Sequence, residues 1–152
     1  MGEGTGYAQQ AEIREMMQED IDAVLEIDRK IAGSDRAMTY DTPPSSYVGG
    51  QLDVSVVAEV GGQVVGFLLG WVTAPPHGVG DTAWVQSIGV DPEQRRQGIA
   101  SRLLEAFAQR CRDKGAQSVH MMVSWHDWWM LSFLTSQGFS RGEMAEFIKP
   151  LL

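Results

Sequence analysis

Only one of the 152 residues is a cysteine, Cys111, so the chain has no disulfide framework and no thiol cluster for a metal. Cys111 falls in a helical pattern and is expected in the core. Histidine is nearly as scarce: His77, His120 and His126 show no ligand spacing, and no metal is expected. Basic residues number 12 against 20 acidic ones, a net charge of −8, which argues against nucleic acid as the main partner. No apolar run approaches the roughly 18 residues of a membrane span, and "MGEGTGYAQQ" lacks the basic and apolar regions of a signal peptide. No membrane partner is expected, and a cytoplasmic location is.

What is present suits one globular domain. With 43% hydrophobic and 21% charged residues the chain can bury a proper core. Residues 1–10, with three glycines, read as a disordered leader, and 11–152 as a single domain. The few cations are grouped: Arg95, Arg96, Arg102, Arg110, Arg112 and Lys114 share one region, whereas "REMMQEDIDAVLEID" is acidic. That contrast favours a local anion site over a general one.

Periodicity orders the elements. A short strand is expected within Ala11 to Met17. A helix follows from Glu19 to Ile31, with Ile21, Val24, Leu25 and Asp28 at helical spacing. "IAGSDRAMTYDTPPSSYVGG" reads as a loop with one helical turn around Ser45 to Gly50. "DVSVVAEVGGQVVGFLLGWV" is a hairpin turning at Gly61-Gly62, and "TAWVQSIGV" a further strand. Ala100, Leu103, Leu104, Phe107, Ala108 and Cys111 mark a helix ending at Lys114-Gly115. "QSVHMMVS" is then a strand, "DWWMLSFLTSQ" a helix closed by Gly138, and the last dozen residues one or two short strands. The sum is a mixed α/β sheet with helices packed on it.

The corner inside "VQSIGVDPEQRRQGIASRLLEAFAQRC" carries the chemistry. A strand feeding a helix leaves the first amides of that helix short of intrahelical carbonyls; Gly98, Ile99, Ala100 and Ser101 supply the amides that could meet an anion, and the helix dipole adds partial positive charge. Arg95 and Arg96 add donors for phosphate oxygens. The plainer reading is that Gly98 only starts a helix and the arginines are solvated.

"IGVDPEQRRQGIASRLLEAF" resembles the signature of the GNAT superfamily of acyl-CoA-dependent N-acyltransferases, Arg/Gln-x-x-Gly-x-Gly/Ala, at Arg95, Gly98 and Ala100. The order of a hairpin before it and a strand, a helix and "Gly-Phe" after it fits as well, over roughly Glu12 to Pro150. The resemblance implies a mostly antiparallel mixed sheet with a splayed central strand pair, flanked by helices. It implies acetyl-CoA as co-substrate, its pantetheine arm beside Ile88, Gly89 and Val90 and its pyrophosphate on the amides of Arg96, Gln97, Gly98, Ile99, Ala100 and Ser101. An amine acceptor, small molecule or peptide, would enter past the loop from Ile31 to Gly50. It would attack the thioester directly, with the oxyanion near the amide of Val90, and the resemblance also allows a homodimer.

Two family positions differ. Where the family has Asn opening the last helix and Tyr seven residues on, this chain has Asp127, which can bond the cofactor or cap the helix, and Leu134, which cannot protonate a thiolate. Where a glutamate base is frequent stand Trp84 and Met122, leaving His120, Ser124 and His126 as candidates. Met121 and Met122 are expected in the core. Trp125, Trp128, Trp129, Met130, Leu131 and Phe133 make the final helix apolar nearly all round, so it is expected to be buried on several sides; Trp128 or Trp129 walling an acceptor pocket or a dimer interface is the other reading. Two rival functions remain open: a catalytically weak or inactive acyl-CoA-binding sensor or partner protein, and an unrelated α/β protein binding another phosphate ligand, though without the Gly-Lys-Ser/Thr of a P-loop.

Overall fold

The acidic segment forms a strand, a turn and a helix: β1 (Glu12–Glu15), a 3-10 turn (Gln18–Asp20) and α1 (Ile21–Ala32). The computed structural model describes residues 10–32, 48, 53–73 and 82–152, and the chain divides into two compact units at Met122/Val123. The expected leader and nearly all of the loop from Ile31 to Gly50, with its helical turn, lie outside the described residues.

In the first unit β2 (Val56–Val60) and β3 (Gln63–Val72) form the expected hairpin. Gly61 and Gly62 take φ values of 55° and 81°, which L side chains disfavour, so the pair permits the tight turn. β4 (Thr82–Val90), α2 (Ile99–Asp113) and β5 (Ser118–Met121) complete the unit. The sheet order is β1-β2-β3-β4-β5, antiparallel throughout except for the parallel pair β4–β5. β5 is shorter than the expected 117–124 run.

Both sheet faces are covered. On one, α1 contributes Val24 and Ile27 to a core with Met16, Val57, Phe67 and Leu69. On the other, Ile99, Leu103, Leu104, Phe107 and Cys111 recur every three or four residues along α2 and are buried. Each large side chain there stabilises the fold by about 1.5–3 kcal/mol. Glycine lets α2 close in: a Cβ at Gly70 would lie 2.5 Å from the Phe107 ring and 2.5 Å from the Trp84 carbonyl. Ser55, fully buried, holds the same residue from the edge, its Oγ accepting the Gly70 N–H at 3.1 Å and donating to the Gly70 carbonyl at 3.2 Å. α2 ends as expected, with Gly115 at φ 91°. Burial pushes the Cys111 thiol up to about 12, so the core role expected of it is the one it has.

In the second unit α3 (Trp128–Ser136) is capped by Asp127, whose carboxylate accepts the Met130 N–H at 3.0 Å, and closed by Gly138 at φ 89°. Burial corrects two expectations. Only Met130 and Leu134, four residues apart, are buried in α3, while Trp125, Trp128 and Trp129 are exposed. A helix made of apolar residues still buries only the stripe that meets a neighbour. Trp129 stacks on Phe133, and the Arg141 guanidinium lies over the Trp125 ring. The expected C-terminal strands are absent: residues 139–152 form none, because a strand exists only by pairing and no described residue pairs with that stretch. Of the two methionines expected in the core, Met121 is half-buried and Met122 is exposed, standing just past the end of β5.

Candidate functional site

β4 is irregular at one residue. Its register against β3 runs Leu69↔Ser87 and then Gly70↔Val85, so Gln86 is an extra residue, a β-bulge. On its other side β4 pairs with β5 from Thr82↔Ser118 to Val85↔Met121 and no further. The two events coincide. A bulge bends its strand and increases local twist, which is the physical reason β4 leaves β5 at this rung.

Beyond the bulge β4 stays bonded to β3 as far as the Asp91 N–H on the Val65 carbonyl, 2.7 Å. Because backbone polar groups alternate sides along a strand, the amides of Ile88 and Val90 then point away from β3, into the side where β5 no longer pairs. Gly89 sits between them with its amide toward β3, and its missing side chain accommodates α1: a Cβ there would be 2.8 Å from Ile31 Cδ1 and from the Phe67 ring. The sheet therefore presents a short row of backbone donors and acceptors with no neighbouring strand among the described residues.

The corner follows directly. Asp91 accepts the Glu93 N–H (3.0 Å), starting the 3-10 turn Pro92–Gln94, and the Lys30 ammonium (3.1 Å), which ties α1 to the end of β4. The amide of Glu93 and then Lys30 hold the Asp91 carboxyl below the usual carboxylate range. Arg95 is extended, while Arg96 and Gly98 both lie in the left-handed region, at φ 66° and 71°. Left-handed residues set into a turn gather amides toward one side, an arrangement that binds anions. The first helical bond of α2 runs from Arg102 N–H to the Gly98 carbonyl, so the amides of Ile99 and Ala100 have no carbonyl one turn back. A Cβ at Gly98 would meet nothing within 4 Å, so glycine serves the backbone angle and open access there rather than packing. Arg95, Arg96 and Gln97 are exposed around the corner, and Ser101 stands in the first turn of α2.

Backbone at Ile88–Val90 and the corner from Arg95 to Ser101 are thus continuous in one unit. The other candidates are divided. His120 lies in β5, stacked on Trp84 at 4.9 Å, with Nε2 2.9 Å from Ser118 Oγ, at a rung where β4 and β5 still pair. Ser124, His126 and Asp127 belong to the second unit, where Ser124 Oγ accepts the His126 N–H at 3.2 Å and Asp127 caps α3. The bulge at Gln86, the left-handed Arg96 and the Lys30–Asp91 pair escaped the sequence reading. Nothing in a one-letter string marks a register slip, and an arginine carries no sign of positive φ.

The family model described as the acetyltransferase (GNAT) family matches residues 14–139. Among curated proteins, the L-2,4-diaminobutyric acid acetyltransferase of Marinococcus halophilus is 41% identical over 58 residues, 38% of this chain and only 32% of the relative's length. Solved structures with the same fold include the aminoglycoside N-acetyltransferase AAC(6')-Iy in complex with CoA (TM-score 0.75, 18% identity, 93% of this chain and 95% of that one). Another is the aminoglycoside acetyltransferase meta-AAC0020 from an uncultured soil metagenomic sample, in complex with sisomicin (TM-score 0.72, 19% identity, 93% and 97%).

Proposed function

The chain belongs to the GNAT acetyltransferase family, and from that premise we propose that it moves an acetyl group from acetyl-CoA to a primary amine of a small, cationic acceptor. One observation carries the proposal: the unpaired backbone of β4 at Ile88 and Val90 runs without interruption into the open corner at Arg95–Ala100. An extended amide-bearing arm ending in a pyrophosphate has this outline. The arm would add to the edge of β4 by main-chain bonds, and the diphosphate would take the amides and arginines of the corner. An AAC(6')-Iy structure holding CoA supports the donor, and relatives named for diaminobutyrate and aminoglycosides support an amine-bearing acceptor.

In the proposed reaction the neutral amine attacks the thioester carbonyl. The carbonyl oxygen gains the negative charge beside the Val90 N–H, the carbon–sulfur bond breaks, and the amine proton passes to solvent or a nearby base. Positioning and a preorganised amide supply most of the acceleration in such a site. CoA thiolate is a tolerable leaving group, since a thiol ionises near 8.5, so Leu134 in place of a tyrosine does not forbid turnover. Leu134 does favour a second reading, an acyl-CoA-binding protein without turnover. No helix among the described residues is long and apolar enough to cross a membrane, and the same proposal places the reaction in the cytoplasm.

The deciding experiment incubates the protein with acetyl-CoA and a mixed pool of amine metabolites and peptides and scores new acetylated products by mass spectrometry. A product that requires the protein is expected. Bound acetyl-CoA with no product from any amine favours the binding protein.

A further inference from the structure

Among the described residues, Asp28 is the buried carboxylate with an oxygen left unpaired. It is 2% exposed, and among the described residues its Oδ2 has no hydrogen-bond partner. Other buried carboxylates are held in place. Asp20 accepts from Arg14 and from the Met17 N–H, Asp53 from the Ser55 N–H, and Asp91 from the Glu93 N–H and Lys30. Burying a carboxylate oxygen without a donor is costly, and an unsatisfied buried group in a native fold calls for a reason. Asp28 occupies an apolar position of its helix, on the stripe that carries Val24, Ile27 and Ile31.

Its place in the fold supplies the reason. Ile31, almost one turn further along α1, abuts β4 at Gly89, and Lys30 pairs with Asp91 at the end of the same strand. The last turns of α1 therefore ride on the part of β4 where pairing with β5 has stopped, the part assigned above to the thioester. Asp28 precedes Ile31 by three residues and so falls on the same stripe of α1.

We propose that Asp28 Oδ2 receives an alkylammonium group of the acceptor, and that this group is not the one that reacts. The inference rests on the transferase reading. A carboxylate at hydrogen-bond distance stabilises the protonated amine, whereas attack on a thioester requires the neutral one. Asp28 thus anchors a second ammonium and selects acceptors with at least two amines, making it a specificity-determining residue.

The test titrates 1,3-diaminopropane, 1,4-diaminobutane, 2,4-diaminobutyrate and, as a single-amine control, n-butylamine into the full chain by calorimetry, with and without saturating CoA. The same series is run on Asp28→Asn, which keeps the shape and removes the charge. The wild-type chain is expected to bind at least one diamine about tenfold or more tighter than butylamine, the worth of one charge-assisted hydrogen bond. Asp28→Asn is expected to lose that preference with CoA affinity unchanged and thermal stability unchanged or raised. A wild-type chain that does not prefer diamines overturns the proposal, as does retention of the preference in Asp28→Asn. So does a folded Asp28→Asn of clearly lower stability with unaltered diamine affinity, which would make the residue structural. Failure of the wild type to bind CoA would count against the transferase reading, while the titrations without CoA still decide the fate of Asp28.

Discussion

Gly98 has no neighbour that a side chain would strike, yet it sits at φ 71°, so a substitution there separates strain from obstruction. A residue other than glycine in the left-handed region costs about 1–2 kcal/mol. Gly62 supplies the control, with φ 81° and equally open surroundings in the β2–β3 turn. Gly98→Val and Gly62→Val are expected to lower the unfolding midpoint by similar amounts in urea. Only Gly98→Val should weaken CoA, by about tenfold or more, as a lost charge-assisted contact would. Equal CoA affinity in both variants, read by calorimetry, would remove the corner from the site. The bend at Gly98 was legible in the sequence as a glycine set between a strand and a helical stripe. Arg96 was not, since it adopts the left-handed conformation without the residue type that favours it.

Between elements, the tightest contacts that an added Cβ would meet among the described glycines are at Gly70, where α2 lies on β3. Gly70→Ala would place a methyl 2.5 Å from Phe107 and from the Trp84 carbonyl; the ring can shift by moving α2, but the strand carbonyl is fixed in its ladder. The expected loss is about 1–3 kcal/mol or more, the usual cost of overpacking. Gly66→Ala, with its nearest contacts at 3.2 Å from Ile99 and Leu103 side chains, is expected to cost less. Urea unfolding of the two variants checks the order. At this scale α2 was readable from spacing, since its apolar residues recur on one stripe. α3 was not, because an all-apolar sequence says nothing of which side meets a neighbour, and its tryptophans are exposed.

Across the first unit, ionisation couples elements distant in the chain. Arg14 on β1 donates to Asp20 at 2.8 and 2.9 Å and to Glu59 on β2 at 2.6 Å. The Arg14 hydrogen bonds chiefly, and the Met17 amide in addition, hold the Asp20 carboxyl below its ordinary range, and Asp91 is lowered as well. A carboxyl depressed in the folded state binds fewer protons there than in the unfolded chain. Its stabilisation is therefore full above the unfolded value, near 4, and is lost as pH falls through the folded value. The urea midpoint is expected to be flat from about pH 8 to 5 and to drop below about pH 4, where these carboxylates protonate. Arg14→Met should lower the midpoint at neutral pH and make the acid decline shallower. An unchanged slope in that variant would show that other groups carry it.

Much of this protein was settled by short-range information. The hairpin at Gly61-Gly62, the cap at Asp127, the stripe of α2 and the signature from Arg95 to Ala100 each depend on residues within a turn or two of one another, where side-chain sterics and backbone angles act. Tertiary structure alone decided that Gln86 would be the extra residue of β4 and that pairing with β5 would end at Val85. It also decided that Asp28, one of several acids on its helix, would be enclosed with its Oδ2 unpaired among the described residues. Register and enclosure are set by strands and helices far apart in the chain, and no local propensity records which groups those distant neighbours will leave unpaired.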